Sequence, residues 1–374
     1  MAVTRRSLLA TGGAMGLGGL CTAQAHAVEP TAGERAAMDG VAQAVLDKFS
    51  VPGLSIAIAA GGMLAYTQGF GFADRERGEK AAPPHLFRIA SVSKPITSTA
   101  IFTLIERGKL KLTDRVFGPG AVLGTDYGAP PYKAGIDQIT VDHLLTHTSG
   151  GWPNDITDPM FSLAGKNHRE LITWVLANQK ADHPPGEKYA YSNFGFCVLG
   201  RVIEKVTGER YQGFVQSQIL AHCGISDMRI AGNAREQRAP GEVTYYGGSN
   251  YGFGGAYSID VTRMDSHGGW IASAASLVRF LIALPSLLRP ETLRQMLTPS
   301  PVQPTYARGW RVNGKGTHWH TGSLAGTTTL MVRTLGGLCW AVLANGRERG
   351  AGSYAEAIDR MMWDMVRKVP AWRA

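Results

Sequence analysis

The chain has 374 residues and a formal net charge of +9 at neutral pH, and 44% of its residues are hydrophobic. Its basic residues are scattered and form no long run, so the charge does not indicate a nucleic-acid-binding protein. The length exceeds the size at which one hydrophobic core usually divides, and we therefore expect two lobes.

Residues 1–27 predict a twin-arginine export signal. Arg5 and Arg6 are adjacent, a mild apolar stretch rich in glycine follows, and Ala25, His26 and Ala27 form a small-residue cleavage pattern. The apolar stretch is too short to span a bilayer. Because the segment contains two arginines and no acidic residue, its removal leaves 347 residues and lowers the net charge from +9 to +7. We expect an exported protein, periplasmic or secreted, without stable membrane insertion once the signal is removed.

Cysteine usage indicates neither a metal site nor a redox motif. Cys21 is disfavoured as a lipoprotein site because a leucine precedes it where a small residue is normally needed. The remaining three, Cys197, Cys223 and Cys339, allow at most one internal disulfide, and the sequence does not decide which pair would form it. Their spacing contains no C-x-x-C pattern.

The N-terminal third predicts a helix, a hairpin and a second helix. Residues 33–50 have a helical pattern that ends before Pro52, and the apolar runs 53–62 and 63–71 meet at a Gly-Gly turn. Residues 91–107 show helical spacing of apolar side chains. Pro95 is tolerated only in the first turn of that helix, where its missing N–H has no partner to lose.

The rest of the chain predicts helices in the middle and strands at the end. Helical patterns cover 141–150, 194–208, 271–284 and 353–367, and strand patterns cover 307–312, 317–322, 327–334 and 338–345. The expected fold is α+β, with one antiparallel sheet built from both chain ends, flanking helices and an inserted, mainly helical lobe. We assign about 28–110 and 266–374 to the sheet lobe and about 111–265 to the helical lobe of one domain, 28–374.

Ser91 and Lys94 are the first candidates for chemistry. They are three residues apart at a helix start, and residues at this spacing share a helix face. A serine hydroxyl needs a base within hydrogen-bond reach, and a lysine among apolar groups has a lowered pKa. The helix N-terminus also directs backbone N–H groups at an incoming oxyanion. By itself the motif occurs often by chance and is more typical of a capping serine followed by an exposed lysine.

Two further motifs follow in order. Tyr191, Ser192 and Asn193 precede an apolar helix, where Tyr191 could relay protons and Asn193 offers both a donor and an acceptor. The run 320–323, His-Thr-Gly-Ser, ends a predicted strand, and a glycine there allows close approach of a substrate. The structural alternatives are a core tyrosine with an asparagine cap, and a hairpin with an incidental histidine.

The three motifs together resemble those of the penicillin-recognising serine hydrolases, which include β-lactamases, D-alanyl-D-alanine carboxypeptidases and related esterases and amidases. The stretches "LFRIASVSKPIT", "ITVDHLLTHTSGG" and "PPGEKYAYSNFGFCVLGRVIEKVTG" extend the resemblance over nearly all of 28–374. The Y-x-N form resembles the class C β-lactamase branch.

The resemblance implies an acyl-enzyme mechanism without metal or cofactor. Ser91 would be the nucleophile, and Lys94 and Tyr191 would share its proton, with the general base left open between them. The backbone N–H groups of Ser91 and Ser323 would form the oxyanion hole. The substrate would be bound by further residues of the same motifs, namely Asn193, His320, Thr321 and Gly322.

His320 stands where efficient class C β-lactamases usually have a lysine, and near neutral pH a histidine is often uncharged. The leading prediction is therefore hydrolysis of a D-alanyl peptide or a small ester. The alternatives are a β-lactamase with weak activity and a catalytically idle protein of the same fold that binds cell-wall fragments. The partner is a small-molecule or peptide substrate, and the oligomeric state is not predicted.

Two histidine patterns suggest metal sites but are not assigned that function. His318 and His320 lie on one face of a predicted strand, without the carboxylate or cysteine pattern that would complete a site. His143 and His147 have the spacing of a zinc protease but lack its glutamate, so we interpret them as packing at a helix end.

Overall fold

The computed structural model describes residues 29–248, 252, 254–347 and 352–373. The predicted export signal, residues 1–27, and Cys21 within it lie outside this part. The other three cysteines are free thiols, and burial raises the pKa of both Cys197 and Cys223 to about 12. Within the described ranges, no helix is long and apolar enough to cross a membrane.

Most strands of the described residues lie toward the two ends of the chain, and most helices lie between them. The helices are α1 (Ala32–Phe49), α2 (Ser93–Glu106), α3 (Val141–Leu145), α4 (Pro159–Ser162), α5 (His168–Asn178), α6 (Asn193–Thr207), α7 (Tyr211–Val215), α8 (Ala274–Leu287), α9 (Pro290–Leu297) and α10 (Gly352–Val366). The strands are β1 (Gly53–Ala60), β2 (Met63–Asp74), β3 (Glu79–Lys80), β4 (Phe87–Arg88), β5 (Arg229–Ile230), β6 (Trp270–Ala272), β7 (Arg311–Val312), β8 (His318–Leu324), β9 (Thr327–Arg333) and β10 (Cys339–Ala344).

The main sheet has seven strands in the order β3-β2-β1-β10-β9-β8-β7, and its pairs are antiparallel. β1 pairs with β10, so the two ends of the chain meet at the centre of one sheet. This confirms the predicted α+β fold with a sheet built from both termini. α1 and α10 pack on one face of the sheet, and α8 packs on the other.

A second, three-stranded sheet was not predicted. β6 directly precedes α8 in the chain. It lies between β4, which precedes Ser91, and β5, and it pairs with both. These strands have two or three residues each, which is too short for an alternating pattern to show in the sequence. The residues from 270 to 272 therefore belong to a strand, and the helix predicted from 271 begins at Ala274 after the cap Ser273.

Two predicted elements are shorter in the structure. The helix expected over 141–150 ends at Leu145, and His147 has a positive φ of 59°, which a helix cannot contain. The strand expected over 307–312 is reduced to Arg311–Val312. Gly309 has a φ of 77°, and a Cβ there would lie 2.8 Å from the Cβ of Ser98, so this backbone packs against α2 instead of extending the sheet.

Candidate active site

Ser91 lies in a tight 3₁₀ turn, Ala90–Val92, that leads into α2. The preceding Ala90 has a φ of 47°, a left-handed conformation that a non-glycine residue retains only where its surroundings enforce it. The sheet supplies that support, because the Thr329 hydroxyl donates to the Ile89 carbonyl at 2.9 Å. Gly322 of β8 also approaches closely, since a Cβ there would lie 2.3 Å from the same carbonyl. The turn is thus held against β8 and β9.

Lys94 reaches back along α2 to the nucleophile candidate. Its Nζ lies 3.0 Å from Ser91 Oγ, 2.7 Å from Asn193 Oδ1 and 3.1 Å from the carbonyl oxygen of His267. The side chain is fully buried, with the Tyr191 ring 4.7 Å from Nζ. The i, i+3 spacing predicted from the sequence therefore places the amine and the hydroxyl in hydrogen-bond contact.

Burial determines the protonation state that Lys94 favours. Desolvation holds its pKa well below the usual value, and the negative charge of Asp158 opposes this only in part. A neutral amine has two hydrogens and one lone pair. The oxygens of Asn193 and His267 can only accept, so they take the two hydrogens, and the lone pair faces Ser91 Oγ. With the amine neutral, the three contacts of Nζ are therefore compatible with a base for the serine hydroxyl.

The Asn193 amide is oriented by a buried carboxylate that the sequence analysis missed. Asn193 Nδ2 donates to Asp158 Oδ2 at 2.8 Å and to Asn154 Oδ1 at 2.9 Å, which directs Oδ1 at Lys94. Asp158 also accepts from the backbone N–H of Met160 at 2.9 Å. Burial raises the pKa of Asp158 to about 6. The one available signal was an Asp-Pro helix start, which indicates a cap and not a site.

Tyr191 is the second candidate base. Its ring is fully buried, and burial raises its pKa far above the usual value, although a hydrogen bond with Ser91 lowers it in part. The phenol therefore keeps its proton in the free protein, whereas Lys94 tends to lose its own. Of the two groups left open by the sequence, Lys94 is the one that burial shifts toward the form that a base requires.

His320 lies on β8 with its side chain buried and both ring nitrogens occupied. Nε2 is 3.1 Å from the Tyr306 hydroxyl, and Nδ1 is 2.7 Å from the Thr321 carbonyl oxygen. Desolvation lowers its pKa to about 3, so the ring is neutral. Direct contact between the His320 ring and a substrate stays a prediction. The side chain of Thr321 is exposed on the opposite face of the strand, and its contact with a substrate also stays a prediction.

The edge of β8 beside Ser91 is open. β7 pairs only with His318 and Trp319, so, among the described residues, β8 has no partner strand on that side from residue 320 onward. The backbone N–H of Asn313 donates to the Thr317 carbonyl, which therefore points to this edge. Because strand geometry repeats every two residues, the odd-numbered residues of β8 direct their backbone N–H and C=O groups to the same edge. Ser323 N–H therefore points to the open edge. Ser91, Asn193 and Ser323 all line a cavity of ≈ 100 Å³ there.

A family model described as Beta-lactamase matches residues 38–360. The chain belongs to the β-lactamase family. This confirms the family expected from the three motifs, and it also accounts for the α+β fold. The relatives and solved structures to which the chain is similar include a penicillin-binding protein, a D-amino acid amidase and a hydrolase.

Curated relatives of this β-lactamase-family protein match part of its length. "Protein flp" of Staphylococcus aureus is 32% identical over 184 residues, which cover 49% of this chain and 36% of that protein. "Penicillin-binding protein 4*" of Bacillus subtilis is 29% identical over 189 residues, which cover 47% and 37%. The chain thus matches little more than a third of these relatives' own length.

Solved structures show the same fold over most of the chain. D-amino acid amidase from Ochrobactrum anthropi has a TM-score of 0.74 at 20% identity, covering 91% of this chain and 100% of that one. An octameric penicillin-binding protein homologue from Pyrococcus abyssi has a TM-score of 0.68 at 25% identity, covering 87% and 76%. The hydrolase EstCE1 has a TM-score of 0.67 at 21% identity.

Proposed function

We propose that the protein hydrolyses an amide or ester through an acyl-enzyme at Ser91, with peptides ending in D-alanine as the favoured substrate class. The observation that supports this most is the contact of 3.0 Å between Ser91 Oγ and the buried Nζ of Lys94. A serine hydroxyl is a weak nucleophile without an adjacent base, and a desolvated lysine is one way to supply it.

The proposed reaction uses side chains and water. The lone pair of Lys94 Nζ takes the hydroxyl proton while Ser91 Oγ attacks the substrate carbonyl carbon. The resulting oxyanion accepts hydrogen bonds from the backbone N–H groups of Ser91 and Ser323. The proton passes to the leaving nitrogen or oxygen as its bond to carbon breaks, with the Tyr191 phenol as the relay. Water then attacks the ester of Ser91 and loses its proton to the same groups, which return it to Ser91 Oγ as the acyl–oxygen bond breaks and the acid leaves.

Arg311 supports a substrate with a free carboxylate. Burial is the main influence on the pKa values of Tyr189, Tyr191 and His320, and the positive charge of Arg311 is a smaller one that lowers all three. Within the described residues it has no carboxylate in ion-pair contact, and its buried Nε has no hydrogen-bond partner. A buried donor without a partner is unfavourable. Because His320 is neutral, Arg311 is the side chain we assign to the terminal carboxylate of a D-alanyl peptide.

The substrate class is tested with two matched peptides that end in D-Ala-D-Ala, one with a free C-terminal carboxylate and one amidated. We expect wild type to prefer the free acid in kcat/KM, and Arg311→Gln to lose most of that preference. Lys315→Gln, which removes an exposed cation from the β7–β8 turn, is the control and should keep it. Equal rates on both peptides by the wild type, or faster turnover of a p-nitrophenyl ester or a cephalosporin, would favour an esterase or a β-lactamase.

We also propose that the protein is exported. The adjacent arginines and the cleavage pattern in residues 1–27 support this. The mass of the protein recovered from a cell-envelope fraction should correspond to a start after Ala27. Replacing Arg5 and Arg6 together by lysine should retain the full-length precursor in the cytoplasm. Recovery of the uncleaved chain outside the cytoplasm would contradict it.

A further inference from the structure

One chain of hydrogen bonds joins the two motifs that flank Ser91. The Ser192 backbone N–H donates to His147 Nδ1 at 3.1 Å, and His147 Nε2 lies 3.0 Å from the Tyr306 hydroxyl. That hydroxyl lies 3.1 Å from His320 Nε2, and His320 Nδ1 lies 2.7 Å from the Thr321 carbonyl oxygen. Both ends of the chain are backbone atoms, one in the Tyr191–Asn193 motif and one in β8.

The donors and acceptors at the two ends fix every proton between them. A backbone N–H can only donate, so His147 Nδ1 accepts, and the hydrogen of its neutral ring is on Nε2. A carbonyl can only accept, so His320 has its hydrogen on Nδ1 and accepts at Nε2. The Tyr306 hydroxyl then receives from His147 and donates to His320. Protonation of His147 would set its Nδ1–H against the Ser192 N–H, and protonation of His320 would leave the Tyr306 hydroxyl hydrogen without its acceptor.

The residues of this hydrogen-bond chain are too well buried for the bonds to rearrange freely. His147, Tyr306 and His320 are exposed by 0%, 1% and 1%, so a broken bond would leave a polar group without water. The His147 ring lies 4.2 Å from the Tyr191 ring, and the backbone of His147 keeps its positive φ of 59°. Such conformations persist where surrounding contacts enforce them, and they cluster at functional sites.

We propose that His147 and Tyr306 are positioning residues of the reaction. The chain sets the separation between Tyr191, on the helical side of the cleft, and the Ser323 N–H, on the sheet side, with Ser91 between them. Neither His147 nor Tyr306 has a hydrogen bond with Ser91 among the described residues. This inference rests on the proposed function, because the separation matters only if Ser91 is acylated.

Tyr306→Phe removes one hydroxyl and keeps the ring, so it tests the chain directly. Tyr189→Phe is the matched control, since its ring lies 5.7 Å from that of Tyr306 and its hydroxyl has no hydrogen bond among the described residues. We expect kcat of Tyr306→Phe to fall by about 10- to 100-fold, the range for a small misplacement of reacting groups, with KM little changed. Tyr189→Phe should turn over like wild type. Wild-type kcat in Tyr306→Phe would overturn the proposal.

A second measurement does not depend on how well the variant folds. Nitrogen-15 NMR of the wild-type imidazoles at neutral pH should show His147 protonated at Nε2 and His320 at Nδ1, each singly. Either ring in the opposite tautomer, or doubly protonated, would contradict the proposed direction of these hydrogen bonds. A failure of the proposed function looks different: wild type would then form no adduct at Ser91, whatever the tautomers are. If the wild type is acylated normally at Ser91 and Tyr306→Phe keeps full turnover, the positioning role of His147 and Tyr306 is wrong while the proposed function stands.

Discussion

Lys94 and Asp158 contact opposite ends of one amide group. Asp158 Oδ2 accepts from Asn193 Nδ2 at 2.8 Å, and Lys94 Nζ lies 2.7 Å from Asn193 Oδ1. The carboxylate therefore acts on the candidate base in two ways. It orients the amide, and its charge raises the pKa of a lysine that burial holds low. This relation makes the pH dependence of the reaction a test of the site.

Replacement of Asp158 by asparagine should move the acidic limb of the kcat/KM profile to lower pH. Burial lowers the pKa of Lys94 and the negative charge of Asp158 raises it, so removing that charge lets the neutral amine persist at a lower pH. Absolute rates should also fall, because the new amide cannot accept from both Asn193 and Met160. Asp155→Asn is the control, since it removes an exposed carboxylate of the same loop. A limb that stays in place in Asp158→Asn would show that Lys94 does not set it.

Local sequence spacing was enough to predict that Ser91 and Lys94 lie together, whereas other residues of the candidate site are brought in by the tertiary fold. Ser91 and Lys94 are three residues apart on one helix, so a sequence pattern could place them together. Asp158 contacts Asn193 across 35 residues, and Arg311, which we assign to the substrate carboxylate, belongs to a two-residue strand. Neither position has a periodic signal that a single sequence could show.

His147 illustrates a different limit of sequence reading. Its spacing from His143 suggested a metal motif or packing at a helix end, and both interpretations assumed a continuous helix. The helix stops at Leu145, and the positive φ of His147 turns the ring toward Tyr306 and away from His143. His143 itself accepts from the Thr140 N–H at 3.2 Å, which is a capping contact. Backbone geometry thus separated two histidines that the sequence had grouped.

Replacement of Lys94 by methionine should slow acylation strongly and leave the fold intact. The side chains are similar in length, and methionine has no charge to desolvate in a fully buried site. The rate of acylation should fall by about 10²- to 10⁴-fold, the usual contribution of a positioned base. Stopped-flow release of a chromogenic leaving group measures this rate, and circular dichroism checks the fold. Acylation at the wild-type rate would exclude Lys94 as the base.

Replacement of His320 by glutamine should reduce the loss of stability in acid. Desolvation lowers the pKa of His320 to about 3, so the folded state stays neutral where the unfolded chain binds a proton. The stability this provides is present above the unfolded pKa near 6.5 and is lost as pH falls toward about 3. The drop in Tm between about pH 7.5 and about pH 4.5 should be smaller in His320→Gln. His222→Gln, at an exposed histidine, should match wild type. An equal drop in both variants would contradict the account.

Replacement of Gly322 by alanine should separate β8 from the nucleophile turn. The added Cβ would lie 2.3 Å from both the Ile89 carbonyl oxygen and the Thr329 hydroxyl, so the strand must shift. We expect kcat/KM to fall by at least about 100-fold. Gly336→Ala is the control, because a Cβ there meets nothing within 4 Å. Equal activity in the two variants would mean that this close approach is not needed.

The central claim is that Ser91 is acylated, and intact-protein mass spectrometry tests it most directly. After incubation with a fluorophosphonate, wild type should gain the mass of one adduct, and peptide mapping should place it on Ser91. Ser91→Ala should gain no adduct and lose turnover of the best substrate, while Ser93→Ala, which removes a hydroxyl that donates to the Ala90 carbonyl at 2.7 Å, should still be labelled. An adduct on another residue, or full activity in Ser91→Ala, would contradict the account.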